Sequence, residues 1–304
     1  MEMFKEFFGM GVFHGNGYEY AREPEGAWSW QHLLFVSLLM VAMVALAIAV
    51  GLHYRHRSPE KKNRVLVFCA FAINEFELLK ILVLCVRGQN PWHWLYVLPL
   101  FLCSIQLIAI PLAAFCKGFV RDAALDFVMI FGILGAVFGT IGAAQNYGCY
   151  PVLSMDNVFS GITHCISGFA SLYIAISGLA SMKKKNIPVT CGILFVFCVM
   201  AYVANVLLDY NYMFLMDHDG TPYSIFYNMV DGHPVLYPAV VVLLFFIYIA
   251  LFYAVYFAIQ RKRAKKAKKA VAPAATVSPV QAKEAPAQEE TPCEEERELQ
   301  LAGK

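Results

Sequence analysis

Charge is scarce in this chain. Only 15% of its 304 residues are Asp, Glu, Lys or Arg, against about 25% in a soluble globular domain. Hydrophobic residues make up 59%, and the mean hydropathy is +0.56. This balance excludes a disordered chain and an ordinary cytosolic domain. Metal and phosphate signatures are missing as well: there is no CxxC, no HExxH and no glycine-rich phosphate loop. A dedicated metal site is therefore not expected, and neither a cofactor nor a nucleic-acid partner is implied. The nine cysteines make no disulfide framework. Cys69, Cys85, Cys103, Cys116, Cys165, Cys191 and Cys198 fall in apolar runs and Cys293 in a C-terminal tail. Only Cys149 falls in an outer loop, which leaves it without an outer pair. The apolar runs do not alternate with polar residues, which excludes a β-barrel. The first run starts beyond residue 30 with no small-residue cleavage site after it, which excludes a cleaved signal peptide.

What is present is a set of seven apolar stretches: Leu33–His53, Val65–Val86, Trp94–Cys116, Ala123–Ala144, Val158–Met182, Pro188–Leu208 and Val235–Gln260. Each has about 21 to 26 residues, enough for a helix to cross a ~30 Å hydrocarbon core. The fold expected is all-α, a polytopic bundle of seven transmembrane helices. Arg55, Arg57, Lys61, Lys62 and Arg64 follow the first stretch, Lys117 and Arg121 the third, and Lys183, Lys184 and Lys185 the fifth. Seven more lie at 261–269. That makes 17 basic residues on one side against 3 on the other, namely Lys5, Arg22 and Arg87. The positive-inside rule then puts the N-terminus outside and the C-terminus in the cytoplasm, as expected of a multi-pass protein of the cell membrane. Three regions follow. Residues 1–31 form an outer segment whose Phe4, Phe7 and Phe8 fit an interfacial helix. Residues 32–260 are the membrane domain. Residues 261–304 read as a basic, then acidic, disordered tail.

Ionisable and polar groups inside spans are costly and mark function. In the second stretch, Glu77 and Lys80 are three apart and face the same way. Cys103 lies about nine residues, or ~14 Å, below the outer end of the third stretch, and His164 about six residues, or ~9 Å, below that of the fifth. A thiol and an imidazole at neighbouring depths make a nucleophile and a general base. Gln106 shares the face of Cys103. Asn205 and Asp209 close the sixth stretch, and His32 caps the first. These groups gather toward the outer half of the bundle, as for a cavity open to the outer leaflet.

The residues around Cys103 and His164 resemble a known family. Leu98-Pro99-Leu100-Phe101-Leu102-Cys103-Ser104 is similar to the LPLHLC signature of the YwaF-type bacterial membrane proteins, which are related to the transmembrane protein 164 acyltransferases. Gln31-His32-Leu33, the stretch Phe159 to His164, Asn211-Tyr212-Met213-Phe214-Leu215, and Pro234 to Pro238 resemble further parts of that family, over about residues 28–260. The resemblance implies a seven-span acyltransferase. Its cysteine, here Cys103, accepts an acyl chain from a phospholipid. Its histidine, here His164, assists, and the chain passes to a lysophospholipid without coenzyme A. Membrane lipids would then be its substrates, held by Gln106, Asn205, Asp209, Glu77 and His32. Phe101 departs from the pattern, standing where many bacterial members have His.

Two other functions compete. A retinal receptor needs a lysine in the last span, and residues 235–260 contain none. A transporter or small-ligand-binding membrane protein would use Glu75, Glu77, Lys80 and Asp209 as a polar pathway. Against it, no inverted repeat is visible.

Overall fold

The computed structural model describes residues 2–10, 12–14, 17–20 and 22–271. The acidic tail, Cys293 included, lies outside them. The regular structure among the described residues is helical apart from one short antiparallel hairpin, β1 (Val12–His14) with β2 (Gly17–Glu19). In chain order the helices are α1 (Glu2–Phe7), α2 (Trp30–Tyr54), α3 (Pro59–Arg87), α4 (Gln106–Phe115), α5 (Gly118–Phe138), α6 (Ala144–Cys149), α7 (Met155–Ser177), α8 (Ile187–Leu208), α9 (Ser224–Met229) and α10 (Leu236–Val271). The chain divides into a unit Met1–Val255 and a second from Tyr256. The described part of the second is helix, and it carries the basic run as far as Val271, where the sequence reading had already begun the tail.

Local chemistry sets the helix ends. Ser29 and Ser154 cap α2 and α7, accepting from the main-chain N–H of His32 and Asn157 at 3.2 and 3.3 Å. Pro59 and Pro188 open α3 and α8, where a missing N–H costs nothing. Gly178 ends α7 in the left-handed region at φ 65°.

Among the described residues, four helices are long and apolar enough to cross a membrane: Trp30–Tyr54, Met155–Ser177, Lys184–Leu208 and Leu236–Lys266. The third apolar stretch departs from the expected single helix. A 3-10 turn takes His93–Tyr96, bends and turns fill residues 97–105, and α4 starts only at Gln106. Pro99 drives Leu98 away from helical backbone. The Ser104 hydroxyl then pairs with both the N–H and the C=O of Phe101, each at 3.0 Å, a local alternative to helical pairing at that N–H, while the C=O also accepts from the Ile105 N–H at 3.1 Å. Cys103 therefore sits in a turn, not midway down a helix. The fourth stretch is also broken, ending as helix at Phe138 before α6 begins.

Helix α7 packs against α5, α2 and α3, and α4 fills the angle between α3 and α5. From Ala123 to Gly132, α5 is buried on every side. By contrast α2, α8 and α10 turn apolar stripes outward, with Leu38 61%, Leu207 77% and Leu251 59% exposed. In water these would form a large apolar patch; against hydrocarbon they are the natural surface. All four tryptophans, Trp28, Trp30, Trp92 and Trp94, are exposed and flank the start of α2 and the end of α3. They mark a membrane–water boundary at that end.

At the same end, Phe7 and Phe8 pack on Val83, Met155 and Phe159, so α1 rests on α3 and α7. Beside it lies an ion pair that the sequence reading missed. Arg87, counted there as an outer loop charge, is buried and donates twice to Asp156, at 2.7 and 2.9 Å. The Tyr20 hydroxyl donates to the same carboxylate. Removing one partner strands a buried charge. We expect Asp156→Asn to lower unfolding stability in detergent micelles by roughly 3–5 kcal/mol, and the apolar pair Arg87→Met with Asp156→Leu to recover most of it. Wild-type stability in Asp156→Asn would contradict this.

Candidate active site: a cysteine–histidine pair

Gly132, Gly135 and Gly139 lie three and four apart on one face of α5 and its C-cap. A Cβ at Gly132 would sit 2.6 Å from the Ser167 carbonyl oxygen on α7, and one at Gly135 3.2 Å from the Cys103 Cβ. A Cβ at Gly139 would fall on the His164 ring, at its Cδ2 and Nε2 edge. Without side chains there, α7 and the turn before α4 both close onto α5. The meeting point is Cys103 with His164: the space beside Gly135 is bounded by the Cys103 Cβ and the His164 Cδ2 together, and that beside Gly139 by the His164 ring. Both residues are half-buried.

The ring of His164 is held from behind. Its Nδ1 lies 2.6 Å from the Ser160 carbonyl, one turn back on α7, and 3.3 Å from the Ser160 hydroxyl. A carbonyl can only accept, so Nδ1 carries the proton. In the neutral ring Nε2 then keeps its lone pair and is free to take the thiol proton. A thiol, a base and a group that orients the base are thus assembled, with a main-chain carbonyl as the orienter.

Of the other expected residues, two stay close to the pair. Glu77 is buried and bridges to Lys80 at 2.6 Å. Gln106, fully buried, starts α4 three residues after Cys103. His32 is buried with both nitrogens engaged: Nδ1 accepts from the Trp28 N–H at 3.0 Å, and Nε2 faces the Thr140 carbonyl at 3.5 Å. Asn205 accepts from the Tyr212 N–H and donates to the Tyr212 carbonyl, at 2.6 and 3.0 Å. Asp209 is the exposed, left-handed cap of α8 at φ 49°. These last three secure helix ends. Sequence reasoning missed Ser160, Gly135 and Gly139. The small-residue spacing at 135 and 139, typical of closely packed membrane helices, is the signal that points to the glycines.

A cavity of about 350 Å³ lies elsewhere, lined by Arg121, Asp126, Gly178, Lys183 and Asn186 among others. It does not include Cys103 or His164. Asp126 there is nine residues, or ~14 Å, along α5 from Gly135. Its carboxylate accepts from Asn186 and Tyr253 at 2.9 and 3.0 Å.

These observations define a class: a helical membrane protein with a histidine-backed thiol toward one end of its helices. The TMEM164 family model matches residues 27–256, well over half of the chain, and the chain belongs to that family. No curated protein and no solved structure matches it.

The close approach at Gly139 is testable by thiol reactivity. At pH 7, Gly139→Val should slow modification of Cys103 by a membrane-permeant maleimide about 10-fold or more, as should His164→Ala, because both remove the base from the thiol. The exposed Cys149 should react unchanged. Wild-type reactivity of Cys103 in Gly139→Val would contradict this packing.

Proposed function

We propose that this protein is a multi-pass lipid acyltransferase of the cell membrane. It moves a fatty acyl chain from a phospholipid to a lysophospholipid through a thioester on Cys103, without coenzyme A. The observation that carries the reading is that Cys103 and His164 meet over one glycine face of α5, with the Nδ1 of the imidazole fixed by the Ser160 carbonyl. His164 takes the thiol proton as sulfur attacks the ester carbonyl. The sulfur–carbon bond forms, the ester carbon–oxygen bond breaks, and the lysophospholipid oxygen leaves with that proton. A second lysophospholipid hydroxyl reverses the sequence. The thioester conserves the energy of the ester, so neither ATP nor an acyl carrier is required.

The topology proposed with this activity has seven crossings, the N-terminus outside and the C-terminus in the cytoplasm. The 17-to-3 distribution of Lys and Arg supports it. Family membership supports the lipid substrate class by resemblance.

The test is transfer of label in reconstituted vesicles that hold an acyl-labelled phospholipid and an unlabelled lysophospholipid. Transfer should fall at least 100-fold in Cys103→Ala and in His164→Ala, the scale of losing a nucleophile or its base, and persist in Cys198→Ala. Transfer unaffected by Cys103→Ala overturns the proposal.

A further inference from the structure

We propose that the Gln106 side-chain amide is the oxyanion donor of this site, holding the carbonyl oxygen of the acyl ester while Cys103 attacks. The proposal rests on the acyltransferase reading above. Gln106 is 0% exposed, and neither its Nε2 nor its Oε1 has a hydrogen-bond partner among the described residues. A buried, unpaired amide is destabilising. Such a group calls for a polar occupant that completes it. A substrate carbonyl is an occupant of the right chemistry, an acceptor for the amide N–H.

The position fits. The Gln106 N–H donates to the Cys103 carbonyl at 3.3 Å, closing a single turn that brings the two side chains, three residues apart, to one face. Other polar side chains near the pair are already committed or stand farther off. Ser104 is spent on Phe101, Thr163 on the Ser160 carbonyl at 2.9 Å, and Lys80 on Glu77. Tyr202 donates to the Pro234 carbonyl at 3.3 Å, and Asn205 is bound at both ends by Tyr212. The hydroxyl of Ser167 is also unpaired, but its residue lies against Gly132, two turns of α5 away from the His164 contact at Gly139. Among the described residues, Gln106 combines an unpaired side-chain amide with the turn that holds the nucleophile.

In the step itself the carbonyl π pair moves to oxygen as the sulfur–carbon bond forms, and the thiol proton passes to His164. The negative oxygen accepts from the Gln106 amide. Collapse restores the carbonyl and expels the lysophospholipid, which takes the proton from His164. A donor placed where this charge develops lowers the barriers to acyl transfer onto and off Cys103, not the nucleophilicity of the thiol.

That distinction gives the test. Gln106→Met keeps the volume and removes the donor without leaving an orphan. Alkylation of Cys103 by iodoacetamide forms no oxyanion, whereas acylation by p-nitrophenyl palmitate does. In the purified full-length protein, Gln106→Met should be alkylated within two-fold of the wild-type rate, while its acylation falls about 100-fold or more. Its thermal midpoint should be equal or higher. Gln106→Glu, which presents an acceptor instead, should lose acylation in the same way. Acylation of Gln106→Met at the wild-type rate overturns the proposal. So does a parallel fall in alkylation, acylation and thermal midpoint, the signature of a merely structural amide. If wild-type Cys103 is alkylated but never acylated, the acyltransferase reading itself fails.

Discussion

The close approach of backbone on the glycine face of α5 is the constraint on which the site depends. Gly132 and Gly139 leave room where a side chain would collide with Ser167 or His164, and at Gly135 even a Cβ would press on Cys103. Lipid tails are as apolar as the helices, so the hydrophobic effect gives little reason for one helix to prefer another. Van der Waals contact between small-residue faces supplies it. Helix α5, buried from Ala123 to Gly132, is thus the wall against which α7 and the 97–105 segment set their reactive residues.

Two histidines near the same end show how surroundings separate structure from chemistry. His32 accepts at Nδ1 from the Trp28 N–H and meets the Thr140 carbonyl at Nε2, so its ring is fully spent on joining α2 to the end of α5. His164 has the opposite tautomer, set by the Ser160 carbonyl at 2.6 Å, and keeps one nitrogen open toward a thiol. The same logic sorts the amides: Asn205 ties off the end of α8 through Tyr212, while the Gln106 side-chain amide has no partner among the described residues. Inside a membrane, where water cannot repair a missing hydrogen bond, an unspent polar group is the more informative one.

Much of this was legible in the sequence. Long uncharged runs identify the solvent, and α2, α8 and the apolar part of α10 fall within a few residues of where those runs place them. Cys103, His164 and Gln106 could be named because ionisable and polar residues are rare there. The break before α4 was harder, since hydropathy is blind to backbone. Pro99 and Ser104, which cause it, are ordinary in an apolar run until their hydrogen bonds are seen. The Arg87–Asp156 pair was hidden for another reason: its partners are 69 residues apart and each ends a different helix. Ser160 acts through its main chain, so no feature of its side chain could announce it.

The central claim is that Cys103 carries the acyl chain. The most direct measurement is peptide mass spectrometry of the protein after incubation with phospholipid vesicles of a single acyl composition. The account predicts that the Cys103 peptide gains the mass of that acyl chain, and that neutral hydroxylamine removes it, as it does a thioester. An unmodified Cys103 peptide, with turnover proceeding or with the acyl mass on another residue, would contradict it.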